Sequence, residues 1–353
     1  CRQCGRREGD SSMKVDNFLR ELLFRKFRIA GMTFDFLEAL LAVCITGVGL
    51  VLRTSFPDSG MPHPLYLLAE WYLAVAGAVL VHQITGNGRK SLLTYSVLLI
   101  LPTVIADGTI LRNNACVGAL LIVSALLFLE NGCGWLFSVV LSAALLLHVR
   151  YVGLLAVCIL LWQMRKLNHL QLVLPVMAAA ARFVYSYRAW MGAGYTLTTF
   201  HWPNIYEIIG NTSMQGQSFE PLATVGLFLT LGLLVISVWV FSQSKWEEQK
   251  SPMILELMLF FGLAAAYFLP YMDQTAGYLF CVLAVMFAFT EPKWFLVPVF
   301  LQIVTFAGYQ EAVNGESMMP MWVFAVIQLG ILALFAAHLL KKAKVVDLCS
   351  RKN

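Results

Sequence analysis

The residues in this chain that can do acid–base or phosphate chemistry are few, and they stand in short polar intervals between long apolar runs. Asp58, Asp107 and Asp273 are carboxylates of the kind that takes a proton from a hydroxyl. Arg150 and Arg188 are guanidinium groups suited to gripping a phosphate bidentately, and His148 stands two places before Arg150. The longest polar interval, Arg182–Phe219, carries Tyr185, Tyr187, Trp190 and the run Thr198-Thr199-Phe200-His201-Trp202-Pro203-Asn204-Ile205-Tyr206-Glu207. An interval of this length without an apolar run of its own is either functional or disordered, and its aromatic content argues against disorder. Carboxylates and guanidinium groups together at one membrane face suit an anionic lipid-phosphate substrate.

The elements that must position these groups follow from composition. Of 353 residues, 59% are hydrophobic and only 13% charged, with a mean hydropathy of +0.73. A soluble domain carries roughly a quarter charged residues. The expected fold is therefore all-α, a polytopic integral membrane bundle. Apolar runs at about 34–53, 63–84, 91–106, 115–129, 133–147, 151–162, 168–184, 220–243, 252–271, 275–290, 293–308 and 321–340 predict about twelve transmembrane segments. Those at 115–162 are short enough for hairpins or tilted pieces. With both termini cytoplasmic, the basic residues obey the positive-inside rule. Only Arg53, Arg112, Arg150, Arg182 and Arg188 fall near the outer side, leaving 20 of the 25 Lys and Arg inside. Basic residues held outside against that rule are candidates for a function.

Residues 15–29 read as an amphipathic interfacial helix, with Phe18, Leu19 and Leu22 opposite Arg20, Arg25, Lys26 and Arg28. The expected organisation is a cytoplasmic tail and this helix at 1–33, a transmembrane domain at 34–340 with its large external loop at 185–219, and a basic cytoplasmic tail at 341–353. Met13 has the look of a translation start, which would make 1–12 an upstream extension. The eight Cys mostly stand singly in apolar runs, as small hydrophobes. Cys1-Arg-Gln-Cys4 is only half of a zinc site, so no metal site is expected. A nucleotide-binding glycine pattern is also missing, which leaves a lipid-borne donor as the source of any sugar.

The run Phe200-His201-Trp202-Pro203-Asn204-Ile205-Tyr206 resembles the aromatic-Pro-Asn-hydrophobe-aromatic signature in the main external loop of bacterial type C (GT-C) membrane glycosyltransferases. Phe268-Leu269-Pro270-Tyr271-Met272-Asp273-Gln274-Thr275-Ala276 resembles their FLP-x-M-HERY segment. Leu101-Pro102 through Ala115 and His148-Val149-Arg150 stand where the family carries two further motifs. The resemblance covers most of residues 14–340. It implies a GT-C-like fold, a mannosyltransferase-like inverting transfer of a hexose from a polyprenyl-phosphate carrier, and an envelope glycan, lipid or protein as acceptor on the outer face of the bacterial plasma membrane. No cofactor is implied, the lipid-linked sugar being the donor substrate. The expected partners are membrane lipids, the polyprenyl-phosphate sugar and a membrane protein, with no nucleic acid.

The departures fall on the chemistry. The family's carboxylate base after a Ser-Gly pair is matched here by Met61, with Asp58 three residues early; the family's next aspartate is replaced near Asn113–Ala115; HERY has become Asp273-Gln274-Thr275-Ala276. The expected catalytic residues are Asp58 and Asp107. The expected substrate-binding residues are His148, Arg150, Arg188, His201, Trp202, Asn204, Asp273 and Gln274. Each also has a plainer role. Asp58 caps a turn; Arg150 pairs with Asp107 or Asp273; Arg188 anchors at the headgroups; Trp202 joins the interfacial aromatic belt; Asn204 caps a short helix over Ile205–Gly210. The alternative function is a catalytically degenerate GT-C-fold protein that binds lipid or a partner protein.

Overall fold

The structure, a computed structural model, describes residues 25–29, 32–55, 64–192, 197–210, 220–243 and 251–342. Asp58, the Cys1–Cys4 pair, the Asn211-Thr212-Ser213 sequon and the basic tail from 343 lie outside these residues, as do residues 15–24 of the expected interfacial helix. The end of that expected helix is a strand instead. β1 (Lys26–Ile29) pairs antiparallel with β2 (Met32–Asp35), setting Phe27 opposite Phe34. Aromatic and β-branched side chains suit that pleated pairing better than a helix.

The rest is helical. α1 (Phe36–Thr54), α2 (Pro64–Thr85), α3 (Gly88–Ile100) and α4 (Pro102–Ile105) lead into a π turn at Ala106–Ile110. α5 (Ala115–Glu130), α6 (Gly134–Leu147), a 3-10 turn at Val149–Gly153, α7 (Leu154–Gln163) and α8 (His169–Gly192) follow. The loop that follows, described over 197–210, contains the one-turn α9 (Ile205–Ile209). The second half holds α10 (Glu220–Ser242), α11 (Ser251–Phe268), a 3-10 turn at Gln274–Gly277, α12 (Tyr278–Thr290), α13 (Leu296–Asn314) and α14 (Met321–Lys342). Their starts follow local chemistry. The Glu38 carboxylate accepts from the Asp35 N–H ahead of α1, and the Asn87 side chain accepts from the N–H groups of Arg89 and Lys90 at the start of α3.

Among the described residues six helices, α1, α2, α8, α10, α13 and α14, are long and apolar enough to cross a membrane; α3 with α4, bent by 43° at Pro102, makes a seventh. α5, α6, α7, α11 and α12 are apolar but shorter. The 14 residues of α6 rise about 21 Å, less than the ~30 Å of a bilayer's hydrocarbon core. This is an all-α membrane bundle with a small β-hairpin at its start. α8 also runs further than the sequence suggested. Nothing from Tyr185 to Trp190 breaks a helix, so the first residues of the expected 185–219 loop belong to it.

α12 is the central post. Every residue from Tyr278 to Ala288 is buried, as befits a helix that is apolar on all sides. It packs against α2, α3, α5, α11 and α13. α1 and α10 are peripheral, and their outer faces, with Val43, Val51, Val225, Phe228 and Trp239 exposed, form the apolar surface a bilayer covers.

Candidate functional site

The polar groups converge at the end of the bundle that carries the loop over 197–210, and backbone geometry brings them there. The Val149–Gly153 turn docks on α11 so closely that a Cβ on Gly153 would sit 2.2 Å from the Phe261 carbonyl oxygen. This tight approach fixes Arg150, whose side chain is buried. Arg150 Nη1 donates to Asp273 Oδ1 at 3.0 Å and also to Thr275 Oγ1. Asp273 opens the next 3-10 turn by accepting from the Thr275 N–H at 3.0 Å, and the Thr275 hydroxyl donates to the same oxygen. The ion pair is asymmetric: the Arg150 side chain is 5% exposed and that of Asp273 53%. Arg150 is thus a buried charge backing an accessible carboxylate.

The loop over 197–210 is stapled to the segment holding Asp273. The Tyr271 N–H donates to the Thr198 carbonyl at 2.7 Å and the Phe200 N–H to the Met272 carbonyl at 2.8 Å. Phe200 and His201 bridge to Asp273, and the Tyr271 ring packs between Trp190 and Phe200. His201 and Tyr271 both adopt positive φ, 59° and 58°, a conformation that non-glycine residues hold at a cost and that gathers at functional sites. The strained backbone turns His201 outward, where Nδ1 lies 3.4 Å from Glu311 Oε2 of α13. His201, Glu311 and Asp273 are therefore the accessible polar groups of the site, and Gln274, next to Asp273, stands against α13 at Gly308.

The Trp202-Pro203-Asn204-Ile205-Tyr206 run has a structural task. The last carbonyls of a helix lack intrahelical partners, and at the end of α11 the donor that should serve Ala266 is Pro270, which has no N–H. Trp202 Nε1 donates to the Ala266 carbonyl at 3.1 Å, the Tyr206 hydroxyl to Phe268 at 3.0 Å, and Asn204 Nδ2 to Leu269 at 3.4 Å. Asn204 also caps α9 through the Tyr206 N–H. Trp202 and Asn204 are completely buried, and both side chains cap backbone groups at the end of α11.

Asp107 is also enclosed. The π turn carries it inward, where Oδ1 accepts from the Tyr309 hydroxyl at 2.8 Å. Behind it lies a second ion pair, with Arg53 Nε donating to Glu70 Oε2 at 2.8 Å and Arg53 Nη1 to the Gly49 and Leu99 carbonyls. The pair lines a 190 Å³ pocket among α1, α2 and α3. His148 stands in the turn before Arg150, its ring edge-on to Tyr151. Burial, together with the Arg150 guanidinium, pushes its imidazole down to about 3, so it is neutral at physiological pH and carries no charge for a phosphate. Arg188 is exposed on α8 and forms no ion pair with Asp273, whose guanidinium partner is Arg150.

Of the expected site residues, the structure thus joins Arg150, Asp273, Gln274 and His201, encloses Asp107, Trp202 and Asn204, and leaves Arg188 apart. Glu70, Thr275, Tyr309 and Glu311 were not singled out as site residues from the sequence. A lone glutamate inside the apolar run 63–84 was a readable signal for Glu70; Tyr309 and Thr275 had none.

Comparison with known proteins adds no constraint. No family model, curated protein or solved structure matches the chain. The functional reading therefore rests on the geometry and the local motifs.

Proposed function

We propose that this chain is a GT-C-like membrane glycosyltransferase of a bacterial plasma membrane. It transfers a hexose from a polyprenyl-phosphate-linked donor to an envelope glycan, lipid or protein acceptor on the outer face. In this reading all twelve apolar helices cross or enter the bilayer, the shorter ones where the protein thins it, and both termini are cytoplasmic. The observation that carries the proposal is the pair Arg150–Asp273: a carboxylate half open to solvent, oriented by a buried guanidinium, beside His201 and Glu311 beneath the external loop. Asp273 takes the proton of the acceptor hydroxyl. Arg150 and the Thr275 N–H hold its Oδ1, leaving the other oxygen to face the acceptor. Positioning under the loop supplies much of the rate.

One observation favours a second reading, a catalytically degenerate protein of the same fold that binds lipid or a partner membrane protein. Asp107 is enclosed, and Arg150 is neutralised by Asp273 before any phosphate arrives. One experiment separates the two. Membranes containing the protein are given a labelled polyprenyl-phosphate hexose. The transferase reading expects sugar transfer by the wild type and a drop of about 10²–10⁴-fold in Asp273→Asn, the usual contribution of a general base, with the variant still folded. A wild type that consumes no donor, with a lipid phosphate or partner protein co-purifying, replaces the first reading by the second.

A further inference from the structure

Behind the accessible pair lies a set of buried ionisable groups that the proposed transfer does not use. Two ion pairs and a fifth, enclosed carboxyl form the set: Arg53 and Arg150 against Glu70, Asp107 and Asp273. Arg53 is matched by Glu70 and Arg150 by Asp273, each in direct contact. Asp107 has no cation in hydrogen-bond contact; its side-chain partners are neutral, the Tyr309 hydroxyl and Asn113. With every group ionised the set carries one negative charge in excess, and the excess lies on a fully buried residue. An uncompensated charge in an apolar bundle is among the costliest arrangements a membrane protein can hold.

The geometry shows where compensation fits. Glu70 Oε2 takes the Arg53 Nε–H, but Glu70 Oε1 is buried without a partner; Asp107 Oδ1 takes the Tyr309 O–H, but Asp107 Oδ2 is likewise buried without a partner. The two carboxyls are brought together across Gly108. A Cβ there would lie 1.8 Å from Glu70 Oε1, so Glu70 is pressed onto the backbone beside Asp107 in a space only glycine leaves open. The π turn at Ala106–Ile110, a helical distortion frequent at functional sites, presents Asp107 to that space. A second, independent group faces it: the Tyr278 hydroxyl on α12, completely buried and without a hydrogen-bond partner, interacts with Glu70, Cys116 and Asp107.

We infer that Glu70 and Asp107 form a buried carboxyl pair that binds one proton, a proton site inside the bundle. The proton neutralises the excess charge and turns one of the two unpartnered oxygens into an O–H donor. The groups that face the pair are Arg53 from α1, Cys116 from α5, Tyr278 from α12 and Tyr309 from α13, with Arg150 and Asp273 beyond Asp107. The inference requires no sugar donor and holds for either functional reading.

The test is infrared spectroscopy of the full chain in lipid nanodiscs at pH 7. A protonated carboxyl gives a C=O stretch that ionised carboxylates lack and that shifts on H/D exchange. The wild type should show one such buried, slowly exchanging band. It should disappear in both Glu70→Gln and Asp107→Asn, because each leaves the remaining carboxylate balanced by Arg53, and persist in the control Glu256→Gln, a buried glutamate of α11 paired with Lys342 of α14. If a variant does not fold, carboxyl-¹³C labelling of all Asp or all Glu in the wild type reads the same assignment, since one of the two labels must move the band. A wild type without the band, or a band unchanged in both folded variants, overturns the inference.

Discussion

Gly308→Ala tests whether the loop over 197–210 is held in place by contact with α13. The glycine lies within α13, and a Cβ built there meets the His201 carbonyl oxygen at 2.3 Å. Real Cβ atoms essentially never come closer than 3.0 Å to such an atom, so the loop must retreat by about 0.7 Å. The obstacle is backbone, and the backbone is fixed on its other side by the bonds from Phe200 to Met272 and from Tyr271 to Thr198. No side-chain rotation relieves it. Overpacking of this kind costs about 1–3 kcal/mol. Replacing glycine by alanine in a helix interior returns up to ~1 kcal/mol, so the net loss is smaller than the clash itself.

The control removes that ambiguity. Gly330 lies in α14 with nothing within 4 Å of a built Cβ, so Gly330→Ala gains the helix term and meets no clash. Reversible unfolding of the two variants in the same detergent should place Gly308→Ala below Gly330→Ala by about 1–3 kcal/mol, the clash alone. Under the transferase reading, a displacement approaching 1 Å beside Asp273 should also lower transfer by roughly 100-fold. Equal stability and equal transfer in the two variants would refute the claim that His201 is clamped against α13.

Arg53→Met should destabilise the bundle by about 3–5 kcal/mol at pH 8, since it strands a buried carboxylate, while Arg53→Met/Glu70→Leu should recover most of the loss; paired unfolding curves decide. Trp202→Phe should cost about 1–3 kcal/mol by leaving the Ala266 carbonyl without a donor, whereas an exposed aromatic such as Trp239→Phe should change unfolding little. His148 gives a pH signature. Its imidazole is held at about 3 in the folded protein against about 6.5 in an unfolded chain, so the unfolded state binds more protons between these values. Stability from this group is complete above pH 6.5 and is lost as pH falls toward 3; in unfolding midpoints measured from pH 8 to pH 5, His148→Gln should show a shallower decline than wild type.

The fold was legible where hydropathy alone decides it. Each of the twelve apolar runs reappears as a helix, because in lipid the backbone must satisfy its own hydrogen bonds. Boundaries failed where local and tertiary preferences compete. Lys26–Asp35 chose a hairpin over an extended amphipathic helix, and α8 continued through Tyr185–Trp190 because no Pro or Gly stands in that stretch. The site was legible as residue types but not as pairings. Arg150 had two candidate partners in sequence, and only the docking of Gly153 on α11 selects Asp273 over Asp107. The role of Asp107 was hidden altogether, since it depends on a π turn and on Tyr309, 202 positions away in the chain.

The Trp-Pro-Asn run marks the boundary between scaffold and chemistry. Its side chains satisfy carbonyls at the end of α11, where Pro270 withholds a donor. A loop built this way needs tryptophan, asparagine and tyrosine at these spacings whether or not any sugar passes beneath it. The motif's presence therefore argues for the architecture and is silent about catalysis. The residues that discriminate are those the scaffold has no use for. A half-exposed Asp273 is not required to close α11, and an outward-facing His201 at positive φ beside Glu311 is not required to hold the loop. Arg150 is different: once buried it must be paired, so Asp273 has a structural reason to exist even without a substrate. Asp273→Asn therefore reads catalysis only where its unfolding curve matches wild type, whereas Glu311→Gln leaves Arg150 paired and alters only the accessible face. A change in donor turnover in that variant, at unchanged stability, would place chemistry on the exposed side of the site.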